Sequence, residues 1–458
     1  MKKARRIMTE GPIPPILIKM AAGMLFGFIA MSAFNAVDTY FVGRLGAMEL
    51  AAMSYTFPVV MILNSIALGL GVGLSSNVSR AIGAGKNHLV KRLTTDGLVL
   101  AVLVVIIIGM AGILTIVPLF SILGAEGRTL GLIKDYMTIW YFGVPFVVIP
   151  MVGNNVIRAT GDTLTPSLIM MTSVFINVIL DPLMIFGIGP FPAMGISGAA
   201  LATVIARLTT FFFSLSILGL REKLLSFEIP HHSEVLSNWK QIAYIGVPAA
   251  LVQAINPLTL GVLTRILAGF GDKVVAGFGA AGRLEFLIMA IPAAFGTVMA
   301  PFAGQNWGAK KIERIKEGVR FSAMASLLWG VIVFVLFLFA SESIIGLFSS
   351  DPVVRNAGAA YMKIMGLGYG FFGILMISSQ SLNAMNKPLH SAGVTITKSF
   401  IINIPLALIG SRVLMESGVF TASLIANISG GLLGLFIVFR ILNHKISQLR
   451  ETVQATAG

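Results

Sequence analysis

Apolar runs of about twenty residues, the length that crosses a bilayer as a helix, recur along this chain from end to end. No other feature limits the fold so tightly. Between charged or Gly/Pro-rich breaks the runs cover 14–41, 50–78, 95–120, 134–157, 164–187, 195–220, 241–267, 275–303, 320–342, 358–383, 390–411 and 417–441. Inside lipid every backbone N–H and C=O must find a partner within the protein, which leaves only helices or a closed barrel. The runs lack the alternation of barrel strands. The sequence therefore predicts an all-α polytopic membrane protein with twelve transmembrane helices. Charge content agrees: 11% of residues are charged, against about 25% in a soluble domain. The longest loops, around 221–240 and 304–319, leave no room for a sizeable soluble domain.

A net charge of +14 would suggest nucleic acid as the partner of a soluble protein. Here the basic residues sit in short loops, so the bilayer is the expected partner and nucleic acid is not. Lys2, Lys3, Arg5 and Arg6, then Arg80, Lys86, Lys91 and Arg92, then Lys310, Lys311 and Arg314 all fall on one side. The positive-inside rule places both termini in the cytoplasm, of a protein expected in the cell membrane. The first apolar run is too long for a signal peptide and lacks a small-residue cleavage site, so it is expected as a retained helix. Cysteine is absent, which excludes disulfides and thiolate metal sites.

The chain repeats itself at a shift of 225 positions. Gly46 meets Gly271, Gly83 meets Gly308, Tyr136 meets Tyr361, Gly143 meets Gly368 and Phe175 meets Phe400. Each repeat holds six helices, an even number, so both enter the membrane in the same direction. Parallel transporter repeats of this kind place the binding site between the halves, near the midplane. The expected organisation is an N-lobe over 1–220, a cytoplasmic linker over 221–240 and a C-lobe over 241–458.

Two acids interrupt this apolar pattern. Asp38 lies in FNAVDTYFVG and Asp181 in FINVILDPLMIFG. An ionised Asp at the bilayer centre costs roughly 2.5–3.5 kcal/mol on insertion scales, so such acids face a cavity or a partner and often mark ion pathways. Asp38, close to a helix end, can instead cap or snorkel; Asp181 is mid-span and followed by Pro182, which removes a backbone donor. Asn177 sits four residues before Asp181, and Asn35 three before Asp38, spacings that share a helix face. Asn154 and Tyr136 flank the fourth span; an Asn in a bundle also glues helices together, and a Tyr also anchors at the interface. The second half offers Gln253, Asn256, Gln380, Asn383 and Asn403 on its seventh, tenth and eleventh spans, with no acid there. Arg283 and Glu285, near the start of the eighth span, are two residues apart and so face different partners.

Other motifs fail. RAIGAGKN lacks the first glycine and the Ser/Thr of a phosphate-binding loop. GLGVG at 69–73 lies inside an apolar run and reads as close helix packing. His231 and His232 have no spaced metal-ligating partner. With no nucleophile–base arrangement and no catalytic residue in view, an enzyme is not expected, nor is a bound cofactor.

Twelve spans in two halves, together with VDTYFVGRLG, RATGDTLTP, NVILDPLMIFG, GISGAALAT and PFAGQNWGAKK in this order, resemble the multidrug and toxic compound extrusion (MATE) family over nearly the whole chain. The resemblance is strongest to its prokaryotic DinF-like branch. It implies two six-helix lobes around a central cavity, and efflux of cationic amphipathic drugs in exchange for H+ or Na+ by a monomer. It further implies a cation-coupling site at Asp38, Asp181, Asn177 and Asn154, which would also serve a Na+ held by Asp38, Asp181 and Asn177. Tyr136, Thr203 and Asn35 would line the cavity. The NorM-like branch carries acids on helices 7 and 10; here Asn256 stands where that helix 7 acid is expected, which favours coupling through the N-lobe alone. Two other classes stand beside this reading. A lipid-linked oligosaccharide flippase of the same superfamily would line its cavity with several basic residues, where only Arg207 and Arg265, with Lys19, Lys363 and Lys398, lie in or near spans. An intramembrane enzyme would need a catalytic set that the sequence lacks.

Overall fold

The computed structural model describes the backbone of residues 8–457, and their side chains except at 32–39, 47 and 453–457. Among the described residues all regular structure is helical. The helices are α1 (Ile13–Gly43), α2 (Ala47–Gly83), α3 (Asn87–Ile122), α4 (Gly127–Ala159), α5 (Leu164–Phe186), α6 (Ile196–Ser216) and α7 (His232–Ala268). There follow α8 (Asp272–Ile288), α9 (Ala290–Gly308), α10 (Ile312–Gly346), α11 (Pro352–Ala384), α12 (Pro388–Ile396), α13 (Ile404–Val413) and α14 (Met415–Ala457). Single π-helical stretches, Ile217–Arg221 and Thr397–Asn403, extend α6 and join α12 to α13. Eleven of these helices or joined helices are long and apolar enough to cross a bilayer, and α8 with α9, bent by 46° at their break, makes the twelfth crossing. The twelve-helix expectation holds.

The internal repeat is written into the backbone. α2 begins at Ala47 and α8 at Asp272; α3 begins at Asn87 and α10 at Ile312; α4 begins at Gly127 and α11 at Pro352. Each pair is offset by the same 225 positions. The turns repeat as well. After α2, Ala84 N–H donates to Arg80 O and Gly85 N–H to Ile82 O; after α9, Ala309 N–H donates to Gln305 O and Lys310 N–H to Trp307 O. Gly85 takes φ 71° and its counterpart Lys310 takes φ 58°. Gly161 and Asn386 form a second such pair, at φ 105° and 63°. The left-handed turn is thus kept even where glycine, the residue that adopts it at no steric cost, has been replaced.

The chain falls into two compact units. The first contains Phe26–Val78 and Lys86–Ala250, the second Lys2–Leu25, Ser79–Gly85 and Leu251–Gly458. Helices α1, α2 and α7 therefore contribute residues to both units. In the first unit α6 packs against α4 and α5, and α4 also against α3. In the second, α11 is the hub, touching α8, α9, α10 and α14 around a core that includes Phe278, Met365, Tyr369 and Phe420.

One polar clamp in the first unit corrects two sequence expectations. Arg92, expected as a loop cation, lies in α3 and is 4% exposed. It pairs with Asp96 at 2.6 Å and donates to Glu228 O at 2.9 Å. Asp96 also accepts from Asn238 Nδ2, and its carbonyl accepts from Trp239 Nε1, both at 2.8 Å. These bonds hold 238–239 in helical form, so α7 begins at His232 rather than at 241, and the non-helical link is shorter than expected.

Candidate functional site

The residues singled out in the first half fall on four helices, α1, α4, α5 and α6, and of these α6 packs against both α4 and α5. On α5, Asn177 and Asp181 stand one turn apart and are both 0% exposed. Asn177 Nδ2 donates to Asp181 Oδ1 at 2.9 Å, as their i, i+4 spacing predicts. This leaves Asn177 Oδ1 with no hydrogen-bond partner among the described residues. A buried carboxylate is costly when ionised unless a cation or donors meet it, and it escapes that cost by taking up a proton.

Close packing sets the register of the neighbours. Ser173 Oγ on α5 donates to Ala206 O on α6 at 3.0 Å, and Gly198 on α6 lies against the Met184 carbonyl, where any side chain would strike backbone. Between these two contacts lie Asn177 and Asp181 on one helix and Thr203, 8% exposed, on the other. On α4, Gly143 lies against Val204, next to Thr203. Tyr136, 6% exposed, precedes Gly143 by two helical turns, about 10 Å along the axis. Asn154 is placed differently. Its neighbour Gly153 packs on Ser214 and Leu218, and Ser214 is about 16 Å beyond Thr203 along α6. Asn154 is 5% exposed and its Oδ1 meets no hydrogen-bond partner among the described residues. Asp38 and Asn35 lie outside the described side chains. Among the described residues no three His, Asp or Glu gather as a metal site.

The second unit holds a polar cluster that the sequence reading left aside. Glu285, expected near the start of a span, is in the last turn of α8, just before the break at Met289. Its Oε2 accepts the Tyr361 hydroxyl at 2.8 Å. The signal was present: an acid well inside an apolar crossing carries the same insertion cost as Asp181. Asn403, by contrast, accepts from Ser423 Oγ at 3.3 Å, bridging to α14 as structural glue.

Comparison with known proteins places this architecture. The MatE family model matches residues 24–183 and 248–409. The chain is 36% identical to an FAD transporter of Shewanella oneidensis over 96% of its own length and 97% of the relative's. It is 27% identical to the multidrug export protein MepA of Staphylococcus haemolyticus, with 95% of each chain covered. Among solved structures, the MATE transporter VcmN of Vibrio cholerae in its bent form superposes with a TM-score of 0.89 at 27% identity, covering 96% of this chain and 98% of that one.

Proposed function

The chain belongs to the MATE family of membrane transporters, and on that premise we propose that it is a secondary active antiporter that exports cationic amphipathic compounds in exchange for H+. The single observation that carries the coupling role is the Asn177–Asp181 hydrogen bond, fully buried on a helix with no other charged residue. Asp181 is the proton carrier. Asn177 orients its carboxylate, and Asp38 and Asn35 on α1 supply the second acid and amide. Two carboxylates in one chamber titrate as a coupled pair. Protonation from outside removes buried charge and favours release of the drug outward; deprotonation inside restores an anionic chamber for a cationic drug. Such a cycle requires proton and drug to differ in affinity for two conformations. Exchange of one monovalent cationic drug for one H+ moves no net charge, so the pH gradient drives it, each unit supplying about 1.4 kcal/mol, or about a tenfold drug gradient. Thr203 and Tyr136 line the same chamber, and Asn154 lines the pathway at another depth. Sodium on the carboxylates and amide oxygens is the competing coupling ion, since hard cations take oxygen ligands.

A second reading of the cargo is favoured by one finding, the FAD transporter at 36% identity: an anionic flavin dinucleotide in place of a cationic drug. Inverted membrane vesicles loaded by a pH gradient or a sodium gradient, each imposed alone, test the proposal. Proton-driven uptake of a cationic dye that fails in Asp181→Asn supports it; sodium-driven uptake alone replaces the coupling ion; uptake of FAD without uptake of dye replaces the cargo. Movement of lipid-linked sugar with no uptake of dye or FAD would end the antiporter reading.

A further inference from the structure

Lys398 lies mid-way along the eleventh crossing, within the π-helical stretch Thr397–Asn403. Departures of this kind inside α-helices recur at functional sites, because the extra residue per turn re-aims a side chain. Lys398 is 8% exposed. Its Nζ lies 4.9 Å from the centre of the Phe372 ring, and no hydrogen-bond acceptor meets it among the described residues. An interior ammonium costs several kcal/mol when it lacks an acceptor, and an aromatic face returns only about 0.5–2 kcal/mol of that. Glu285 attracts it through space, but one Glu285 oxygen is taken by Tyr361. No ion pair within 4.0 Å joins Glu285 to Lys398 among the described residues.

The surroundings are rigid. Tyr361 is held edge-on by Phe278 and Phe420, at 5.0 and 5.2 Å between ring centres, so its hydroxyl is fixed on Glu285. Tyr369, two turns along α11, is 1% exposed, and its hydroxyl lies near that of Tyr361. A buried cation without an acceptor has one requirement: an anionic oxygen.

We infer that the second unit carries a binding site of its own, in which Lys398 takes the carboxylate or phosphate head group of an amphipathic aromatic substrate. Tyr369 offers a second donor and Phe372 an apolar wall for the ring. Glu285 competes with the substrate for Lys398 and so limits how tightly the anion is held. The inference does not rest on proton coupling at Asp181, and it goes beyond the cationic cargo proposed above. The bland alternative is an ion pair that closes when Glu285 swings onto Lys398 and serves only to join α8 to α12–α13.

Two dyes of one ring system and opposite charge separate these readings: fluorescein, which is anionic, and rhodamine 6G, which is cationic. Binding is measured on the full-length protein in phosphatidylcholine vesicles. The site requires Lys398→Gln to weaken fluorescein binding about ten- to a hundredfold, the range for a lost charge-assisted hydrogen bond, while rhodamine 6G binding stays within about twofold, the level at which no contact is lost. Lys398→Arg keeps fluorescein binding. Should Lys398→Gln fail to fold, Glu285→Gln decides: freeing Lys398 of its competitor tightens fluorescein binding, whereas weaker binding makes the pair structural and overturns the site. Wild-type protein that binds no fluorescein, or a Lys398→Gln protein that loses both dyes equally, also overturns it. Phosphatidylglycerol that competes with fluorescein in the wild type supports the site with a lipid head group as a second source of the same chemistry.

Discussion

Tyr136 and Tyr361 occupy the same place in the two repeats, on α4 and α11, and both are buried. What surrounds them differs. In the first unit the acid is on α5, and its neighbour one turn away is an amide, Asn177. In the second the acid is on α8, bonded to the phenol itself, and a lysine stands at the repeat position held in the first unit by Ser173, which makes an ordinary bond to a backbone carbonyl. One backbone plan therefore carries two electrostatic designs: a carboxylate met by an amide, and a carboxylate met by a phenol with an unpaired cation nearby. On the proposals above, one half of the duplicated scaffold would serve the ion and the other the cargo.

The comparison is broken most sharply at Asp181. Asp181→Asn is expected to abolish driven efflux of every substrate, with the protein still folded in the membrane; vesicle transport against a gradient reads this directly. Residual efflux of cationic and acidic dyes at wild-type rates would remove the division of labour.

A second contrast concerns ion pairs used as structure. Arg92–Asp96 is buried, at 4% and 3% side-chain exposure, while Lys363–Glu342 in the second unit is exposed at 37% and 56%. Arg92→Met strands a buried carboxylate and is expected to cost about 3–5 kcal/mol. Lys363→Met is expected to cost under about 1 kcal/mol. Thermal unfolding of the two proteins in one detergent checks the ordering.

The repeated turns sharpen the comparison on a finer scale. Gly85→Ala forces a side chain into φ 71°, a loss of about 1–2 kcal/mol. Lys310→Gly, at the matching position, relieves such a cost and is expected to leave stability unchanged or raised by up to about 1 kcal/mol. Equal losses in both variants would show that the turns differ in energy despite their common shape.

The smallest effect is at the start of α11. Asp351 caps this helix by accepting from Val353 N–H at 2.9 Å, and Lys273 pairs with it at 2.7 Å. The lysine first, and the helix N–H second, hold this carboxyl below the usual carboxylate range. Its stabilising contribution is therefore complete above its unfolded titration near about pH 4 and is lost as pH falls through the lower folded value. A unit-by-unit pH titration of melting temperature should show Asp351→Asn converging with wild type only at that acidic end. A difference that grows on acidification would reverse the sign of this argument.

Several of these features were legible without a structure. The i, i+4 spacing of Asn177 and Asp181 predicts their bond, since a helix brings such residues to one face regardless of what packs beside it. The repeat offset, visible in a handful of glycines and aromatics, recurs in helix starts and turn geometry. Arg92 was misplaced because a hydropathy boundary marks where apolar residues stop and not where the helix stops; α3 continues past it to meet Asn238 and Trp239.

The chain's own order of residues settled the solvent it lives in, the number of crossings, the two-fold plan and the local acid–amide pair, because each follows from periodicity within one or two helical turns. Folding in three dimensions decided that Glu285 would meet Tyr361 and that Lys398 would be left facing an aromatic ring without an acceptor. Those groups come from helices separated by dozens of residues, and only side-chain packing determines which of many buried partners each one finds.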